Sequence, residues 1–292
     1  MTGARPLRAL WSSVLLLALG CASAQPTPAP PAVASAPPSA AFSYDVLNAH
    51  LWQQTAEEYR ASALQAYAAA RRALDAALAD PSWTAALEQA GDFSQRPPAI
   101  ILDVDETVLD NSPYATRQIR KQQRYTRDTW NAWCEERAAP AIAGALDFTR
   151  HAAARGVTVF FVTNRDTALH EATKENLRRQ GFPLAGDRET VFTRGMREEW
   201  KDSDKGPRRK AVADEFRVLL LVGDDLGDFL SGVRTTPPER AALAAPYAAY
   251  WGTRWIVLPN PVYGSWEDAL LAFARGLPEE EVLRRKLEAL RP

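Results

Sequence analysis

The stretch PAIILDVDETVLDNSPY, residues 98–114, joins an apolar run directly to a cluster of acids. Residues 99–104 have the length and the composition of a buried β-strand. Asp103, Asp105 and Glu106 then follow within four residues. A strand that ends in carboxylates predicts a functional site at its carboxyl end.

Three more apolar runs of strand length follow, at residues 157–164, 218–225 and 254–260, and helical patterns separate them. Continuous apolar strands that alternate with helices are typical of parallel sheets with both faces covered. The sequence therefore predicts an α/β fold with a doubly wound parallel sheet. Ligands of such sheets bind in the crevice beyond the carboxyl ends of the strands.

Residues 43–89 carry apolar side chains at three- and four-residue spacing, which predicts helix. Pro81 is expected to divide this segment into one long and one short helix. We expect a single domain over residues 43–292, with helical cap elements near 43–95 and in the insertion at 112–142.

The first 24 residues have the layout of a signal peptide: Arg5 and Arg8, a short apolar core and then small residues. Cleavage before Cys21 would give an outer-membrane lipoprotein, facing the periplasm or the surface and anchored by a lipid on Cys21. Cleavage after Ala24 would instead give a soluble periplasmic protein. The proline- and alanine-rich residues 25–42 predict an extended tether.

The composition limits the partners and the covalent links of the chain. A formal net charge of −1 over 292 residues argues against a nucleic acid polymer or an anionic membrane face as the main partner. We expect contact with a membrane only through the lipid anchor. Cys134 is the only cysteine besides Cys21, so the exported domain cannot form an internal disulfide.

Polar residues also lie at the ends of the second and third predicted strands and in the segment between these strands. The spacing D-x-D alone also occurs in EF-hand loops. That alternative fails because Val108 stands where an EF-hand needs glycine, and because a strand precedes the motif. The further candidates are Thr163, Asn164, Lys205, Asp224, Asp225 and Asp228.

In this order the motifs resemble those of the haloacid dehalogenase (HAD) superfamily. ILDVDETVLDNSPY, FFVTNR, DKGPRR, GDDLGDF and LPNPVYGSWE together resemble class C bacterial acid phosphatases, which are typically exported lipoproteins. The resemblance runs from about residue 51 to residue 267. The family usually reads GDNL where this chain has Asp225, and we expect the extra charge to shift metal affinity or optimal pH.

The chemistry of phosphate monoesters explains why such a site needs two carboxylates. Asp103 is expected to attack phosphorus and form an aspartyl-phosphate. Asp105 is expected to protonate the leaving alcohol and then to activate water, and a neighbouring negative charge favours the protonated form that the first step needs.

The resemblance further implies an octahedral Mg²⁺ site. Asp103 and Asp224 would bind the ion through side chains, Asp105 through its backbone carbonyl and Asp228 through water. The resemblance also implies that Thr163 and Lys205 bind the phosphoryl oxygens, with support from Asn164. The pattern K-x-x-R selects Lys205 over its neighbours Lys201 and Lys210.

Aromatic residues near the predicted site suggest a surface that stacks flat leaving groups. Tyr125, Trp130 and Tyr263 are the candidates, although Trp130 and Trp133 also have the spacing of helix-packing residues. Nucleoside monophosphates and aryl phosphates are therefore the expected substrates.

The sequence predicts an exported, metal-dependent acid phosphatase that acts on small phosphate monoesters. Three alternatives remain: phosphotransfer to an alcohol at the same site, a non-catalytic binding lipoprotein on the same fold, and phosphonate cleavage. The last usually needs a Schiff-base lysine in the cap, where the chain offers only Lys121. The oligomeric state stays open, with a homodimer as one option.

Overall fold

Five parallel strands form one sheet within residues 46–291, the part of the chain that the computed structural model describes. The sheet order is β3-β2-β1-β4-β5, so the chain winds outward on one side of β1 and then on the other. This confirms the predicted doubly wound α/β fold. The predicted signal peptide, Cys21 and the tether lie outside the described residues. The strands are β1 (Pro98–Leu102), β2 (Thr158–Asp166), β3 (Val191–Arg194), β4 (Arg217–Gly223) and β5 (Trp255–Val257).

Strand β3 is the one that sequence patterning did not predict. It has four residues and pairs only with β2, at the edge of the sheet. An apolar run this short gives too little periodicity to separate it from a loop.

Helices flank the sheet and fill the connections between its strands. Within residues 46–291, four short 3₁₀ helices add to them, at Thr167–Leu169, Glu198–Trp200, Leu226–Asp228 and Ala245–Tyr250. Among residues 46–291, no helix combines the length and the apolarity needed to cross a bilayer. The α-helices are α1 (Leu47–Thr55), α2 (Glu57–Ala79), α3 (Ser112–Arg120), α4 (Arg127–Glu136), α5 (Ala145–Ala154), α6 (His170–Gln180), α7 (Gly206–Glu215), α8 (Pro237–Ala244), α9 (Ser265–Leu270) and α10 (Glu279–Glu288).

Alternate side chains of the central strands enter two separate cores, one on each face of the sheet. Ile100 and Leu102 pack into the core that contains α2 and α5. Ile101 and Phe160 pack into the opposite core, which contains Val212 of α7. Because both faces are covered, the central strands are apolar at nearly every position, as the sequence indicated.

The N-terminal helices divide at Ala56 and not at Pro81, so that prediction is wrong. Ala56 has an extended backbone, with φ −82° and ψ 125°, and it separates α1 from α2. No helix follows Pro81 before β1. Long-range hydrogen bonds hold that segment instead: Ala85 N donates to Val218 O at 2.8 Å, and the Gln89 side chain donates to Ala213 O at 2.7 Å. Local periodicity cannot reveal such tertiary partners.

Helix α2 lies against the sheet and also reaches the loop that follows β1. Its buried stripe is largely alanine, which lets the helix approach the strands closely. The Tyr67 hydroxyl donates a 2.6 Å hydrogen bond to Thr107 O in that loop. In the insertion after β1, Thr116 of α3 bonds His50 of α1 at 2.8 Å. The N-terminal segment and the insertion therefore meet at this contact.

Replacing Leu74 by alanine is expected to lower the free energy of unfolding by about 2–5 kcal/mol, because truncation of the side chain leaves a cavity in the core that α2 shares with the sheet. Urea denaturation of Leu74→Ala measures this effect. Leu64→Ala is the matched control, since Leu64 is on the same helix but 38% exposed. Equal losses for the two variants would contradict the assigned packing of α2.

Candidate active site

The register of the central strands brings their carboxyl ends to one place. Leu102 pairs with Phe161 on one side and with Val222 on the other. Asp103 extends this pattern, since its backbone N–H donates to Val222 O at 2.9 Å. Polar residues that follow β1 and β4, or that end β2, therefore meet at one edge of the sheet.

Three aspartates and one lysine form the centre of this edge. Carboxylate oxygens of Asp103, Asp224 and Asp228 all lie within 4.8 Å of one another. Lys205 Nζ donates to Asp103 Oδ1 and, at 2.6 Å, to Asp228 Oδ1. Gly223 makes room for Asp228, because a Cβ at Gly223 would collide with the Asp228 side chain.

Burial makes this concentration of negative charge unfavourable. It raises the pKa of Asp103 to about 7; the Lys205 ammonium opposes the shift, and the charges of Asp228 and Asp105 add to it. Burial also raises the pKa of Asp224 well above its usual range, with further contributions from Asp103 and Asp228. For Lys205 burial acts to lower the pKa, but the two adjacent carboxylates raise it above the ordinary value.

The donor set fits a hard divalent cation. It consists of carboxylate oxygens, which such ions prefer, and one lysine does not balance three close carboxylates. Asp103 and Asp224 would hold the ion, with Asp228 beside them. Among residues 46–291, no other group of His, Cys, Asp or Glu has this arrangement.

A divalent cation is expected to stabilise the fold by binding this cluster. At a free concentration 100 times its Kd, the gain in the free energy of unfolding would be about 2.7 kcal/mol. The rise in Tm with added Mg²⁺ should largely disappear in Asp224→Asn and persist in Asp92→Asn, a change at an exposed carboxylate that accepts hydrogen bonds from Ser94. A rise of the same size in Asp224→Asn would contradict the assignment.

Asp105 lies beside the cluster, and an arginine and an asparagine hold its carboxylate. Arg165 Nη2 and Nε donate to Asp105 Oδ1 at 2.8 and 3.1 Å, and Asn111 Nδ2 donates to the same oxygen at 2.8 Å. Arg165 is buried at the end of β2. The carboxylate is thereby fixed in orientation next to Asp103.

Thr163 and Asn164 lie at the same edge but face different partners. Thr163 is fully buried, and its hydroxyl accepts from Arg165 N at 3.1 Å. Asn164 is exposed, donates to Ser203 O at 3.0 Å and accepts from Arg208 at 2.7 Å. Asn164 therefore ties β2 to the segment that carries Lys205.

Lys205 is the lysine of its segment that reaches the cluster. It directly precedes α7 and is buried. Lys201 is exposed and pairs with Glu198, whereas Lys210 is exposed and pairs with Asp214 along α7.

Asp225 does not join the acidic cluster, although the sequence suggested a charge near the metal. Its Oδ1 accepts from Gly227 N at 2.8 Å and from Ser265 Oγ at 2.6 Å, and its Oδ2 accepts from Ser265 N at 2.7 Å. The carboxylate thus caps the 3₁₀ helix Leu226–Asp228 and holds the start of α9.

Two of the three aromatic candidates contact residues that neighbour Asp105, and the third packs beside one of them. Trp130 packs edge-on against Tyr114, at 5.2 Å between ring centroids, and the Arg165 guanidinium lies 5.6 Å from the Trp130 ring. Tyr125 is 64% exposed, and its ring is 6.3 Å from Trp130. Tyr263 is 42% exposed, and its hydroxyl donates to Glu106 Oε2. Two of the rings therefore offer open surface.

Several site residues escaped sequence reasoning, although most lie inside the quoted motifs. Arg165 directly follows Thr163-Asn164, and its position at a strand end was the sequence signal that could have indicated a role in the site. Asn111 belongs to the first motif. Asn260 belongs to the last motif, and its Nδ2 donates to Asp224 Oδ2 at 2.8 Å. Their roles depend on contacts across the fold, which spacing alone does not define.

Comparisons with known protein families identify close similarity over most of the chain. The model of the HAD superfamily, subfamily IIIB (acid phosphatase), matches residues 17–266. The structure of the class C acid phosphatase from Bacillus anthracis superposes with a TM-score of 0.76 at 31% identity, over 86% of this chain and 98% of that one. A structure of the Bacillus anthracis class C acid phosphatase with tungstate bound gives 0.75 at 30% identity, over 87% and 99%.

Two plant proteins also match in part. Acid phosphatase 1 of Solanum lycopersicum is 32% identical over 56% of this chain and 57% of its own length. The stem 31 kDa glycoprotein of Glycine max is 21% identical over 56% of this chain and 58% of its own length. The chain thus matches little more than half the length of these relatives.

Proposed function

Since the chain belongs to the acid phosphatases of HAD subfamily IIIB, we propose that it hydrolyses small phosphate monoesters through an aspartyl-phosphate on Asp103. One observation carries this proposal: Asp103 lies at the end of β1 with Lys205 on its carboxylate, Asp224 and Asp228 beside it, and an oriented Asp105 nearby. A nucleophile, a positive charge, a cation site and a second carboxyl group are the parts that the reaction needs.

In the first step, an oxygen of Asp103 forms a bond to phosphorus while the bond from phosphorus to the ester oxygen breaks. The protonated carboxyl of Asp105 gives its proton to the departing alcohol. Lys205 contacts the phosphoryl oxygens and limits the charge that accumulates there. The Thr163 hydroxyl, shortly before the end of β2 at Asp166, is the neutral donor for a further phosphoryl oxygen.

In the second step, water attacks the phosphorus of the aspartyl-phosphate and gives its proton to Asp105. The bond between phosphorus and the Asp103 oxygen breaks, and the free carboxylate returns with inorganic phosphate as the product. Asp105 thus alternates between acid and base. Arg165 and Asn111 keep its carboxyl in place during both steps.

Mg²⁺ is the proposed ion, and Asp103, Asp224, the backbone carbonyl of Asp105 and Asp228 would hold it. When bound, it would offset the charge that carboxylate and phosphate bring together. Oxygen-only donors favour magnesium over zinc.

The proposed substrates are nucleoside monophosphates and aryl phosphates. Tyr263 and Tyr125 have exposed rings; Tyr263 bonds Glu106, the residue after Asp105, and Tyr125 lies beside Trp130. Such rings can stack on many kinds of flat group, so we infer broad substrate specificity.

Export is also part of the proposal and rests on the sequence of residues 1–42 alone. The chain would reach the periplasm or the cell surface, either anchored by a lipid on Cys21 or released after Ala24. Treating cells with labelled palmitate tests the anchor, because Cys21→Ser should remove the label from the protein.

The direct test is hydrolysis of p-nitrophenyl phosphate in mildly acidic buffer. We expect release of nitrophenol and phosphate with Mg²⁺, loss of turnover with EDTA and recovery when Mg²⁺ returns. A folded, metal-loaded protein without turnover would instead favour a binding role on the same fold.

An alcohol acceptor separates hydrolysis from phosphotransfer. With added ethanol, a hydrolase releases phosphate and nitrophenol in equal amounts. Phosphate that falls well below nitrophenol, with ethyl phosphate formed, would show that transfer dominates.

A further inference from the structure

The loop over residues 260–264 leads from β5 into α9, and together with Ser265, the first residue of α9, it is held at three points by residues of the site. At its start, Asn260 donates to Asp224. In its middle, the Tyr263 hydroxyl donates to Glu106. At its end, Ser265 bonds Asp225 through both its backbone N–H and its hydroxyl. The loop that carries an exposed aromatic ring is thus fastened to the two neighbouring aspartates that follow β4.

The Asp225 contact needs a carboxylate at this position. Oδ1 accepts from Gly227 N at 2.8 Å, and Oδ2 accepts from Ser265 N at 2.7 Å. Two backbone donors therefore approach the two oxygens separately. An asparagine in the same place would turn its NH₂ group toward one of these N–H groups in either orientation of the amide, and one hydrogen bond would become a contact between two donors.

Neighbouring residues complete this anchor. Arg240 is buried and donates to Ser265 Oγ at 2.7 Å, so the hydroxyl accepts from arginine while its own proton goes to Asp225. Gly264 permits the close approach, because a Cβ there would lie 3.2 Å from Asp225 Oδ2 and 2.8 Å from Trp266 Cδ1. The anchor is thus continuous from α8 through α9 to the turn that follows β4.

We propose that Asp225 is a positioning residue that holds the Tyr263 loop through Ser265 and thereby sets the preference for flat, aromatic leaving groups. The carboxylate acts through the loop and not as a metal ligand. This inference rests on the proposed phosphatase function and names a determinant of its specificity.

The test compares Asp225→Asn with the unchanged protein on an aryl and an alkyl ester. Loss of one hydrogen bond that holds the ring is expected to raise KM for p-nitrophenyl phosphate by roughly 3- to 10-fold. The kcat/KM for ethyl phosphate, which offers no ring to Tyr263, should stay within about twofold. Ser265→Ala should shift KM in the same direction but less, because it keeps the backbone bond.

A double-mutant cycle separates positioning from general damage. In the background of Tyr263→Ala, the Asp225→Asn change should have no further effect on KM for the aryl ester. Asp92→Asn is the matched control, since Asp92 also accepts from the N–H and hydroxyl of a serine, Ser94, but within an exposed turn. Asp92→Asn should leave the kinetic constants for both esters unchanged.

Binding supplies a readout that does not need turnover. Calorimetry should show that Asp225→Asn raises the Kd for phenylphosphonate and leaves the Kd for inorganic phosphate unchanged. Three results would overturn the inference. Asp225→Asn could lower kcat/KM equally for the aryl and the alkyl ester, or it could raise KM for the aryl ester just as much in the Tyr263→Ala background. It could also change the Mg²⁺ requirement while the preference for the aryl ester stays the same. If the unchanged protein hydrolyses neither ester, the phosphatase proposal fails, and the phenylphosphonate comparison still decides the role of Asp225.

Discussion

Asp103→Asn is expected to lower kcat for p-nitrophenyl phosphate by at least about 10⁴-fold. The amide has nearly the shape of the carboxylate but lacks the anionic oxygen that attacks phosphorus, so the covalent route closes. The side chain also loses charge in a buried cluster of three carboxylates, and the fold should therefore tolerate the change. Steady-state rates measure the effect, and circular dichroism and Tm establish that the variant is folded.

Asp92→Asn serves as the control for the Asp103 variant, because it makes the same chemical change at an exposed turn. Its rate should remain at the level of the unchanged protein. A folded, metal-loaded Asp103→Asn that retains more than about a hundredth of the activity would show that Asp103 is not the nucleophile.

Lys205→Met is expected to lower kcat by about 10²–10³-fold, the usual effect of removing one group that stabilises charge in the transition state. Methionine fills a similar volume without the ammonium. The buried carboxylates of Asp103 and Asp228 would lose their shared partner. Apo protein should consequently be less stable at neutral pH, and added Mg²⁺ should recover part of the lost Tm.

The chain offers two matched controls for this lysine. Lys201→Met and Lys210→Met remove exposed ammonium groups that pair with Glu198 and Asp214. Both should keep nearly full activity, since exposed ion pairs contribute little. Similar losses at all three positions would mean that general positive charge, and not the position of Lys205, supports the reaction.

The sequence predicted the position of a site residue wherever the sheet topology brings the ends of successive strands together. Parallel strands align their carboxyl ends, so polar residues that follow β1 and β4, or that end β2, had to meet once the sheet was inferred. Asp103 and Asp224 lie together for this reason, and the Thr163 hydroxyl lies 3.4 Å from Asp105 Oδ2. The strands themselves were visible because burial on both faces makes them continuously apolar.

Other features depend on partners that no local pattern reveals. The segment after Pro81 is non-helical because Ala85 and Gln89 bond residues more than a hundred positions away. Asp225 shares a motif with Asp224, yet its carboxylate turns toward Ser265. Likewise the Asp105 carboxylate takes its orientation from Arg165, sixty positions further along the chain. Side-chain direction at such positions follows from tertiary packing.

Identification of the phosphorylated residue tests the central claim most directly. The protein would be quenched during turnover of p-nitrophenyl phosphate with Mg²⁺, reduced with borohydride, which converts an aspartyl-phosphate to homoserine, and mapped by mass spectrometry. We predict homoserine at position 103 and an unmodified Asp105. Turnover in which another side chain carries the phosphoryl group, with Asp103 unmodified throughout, would contradict the account.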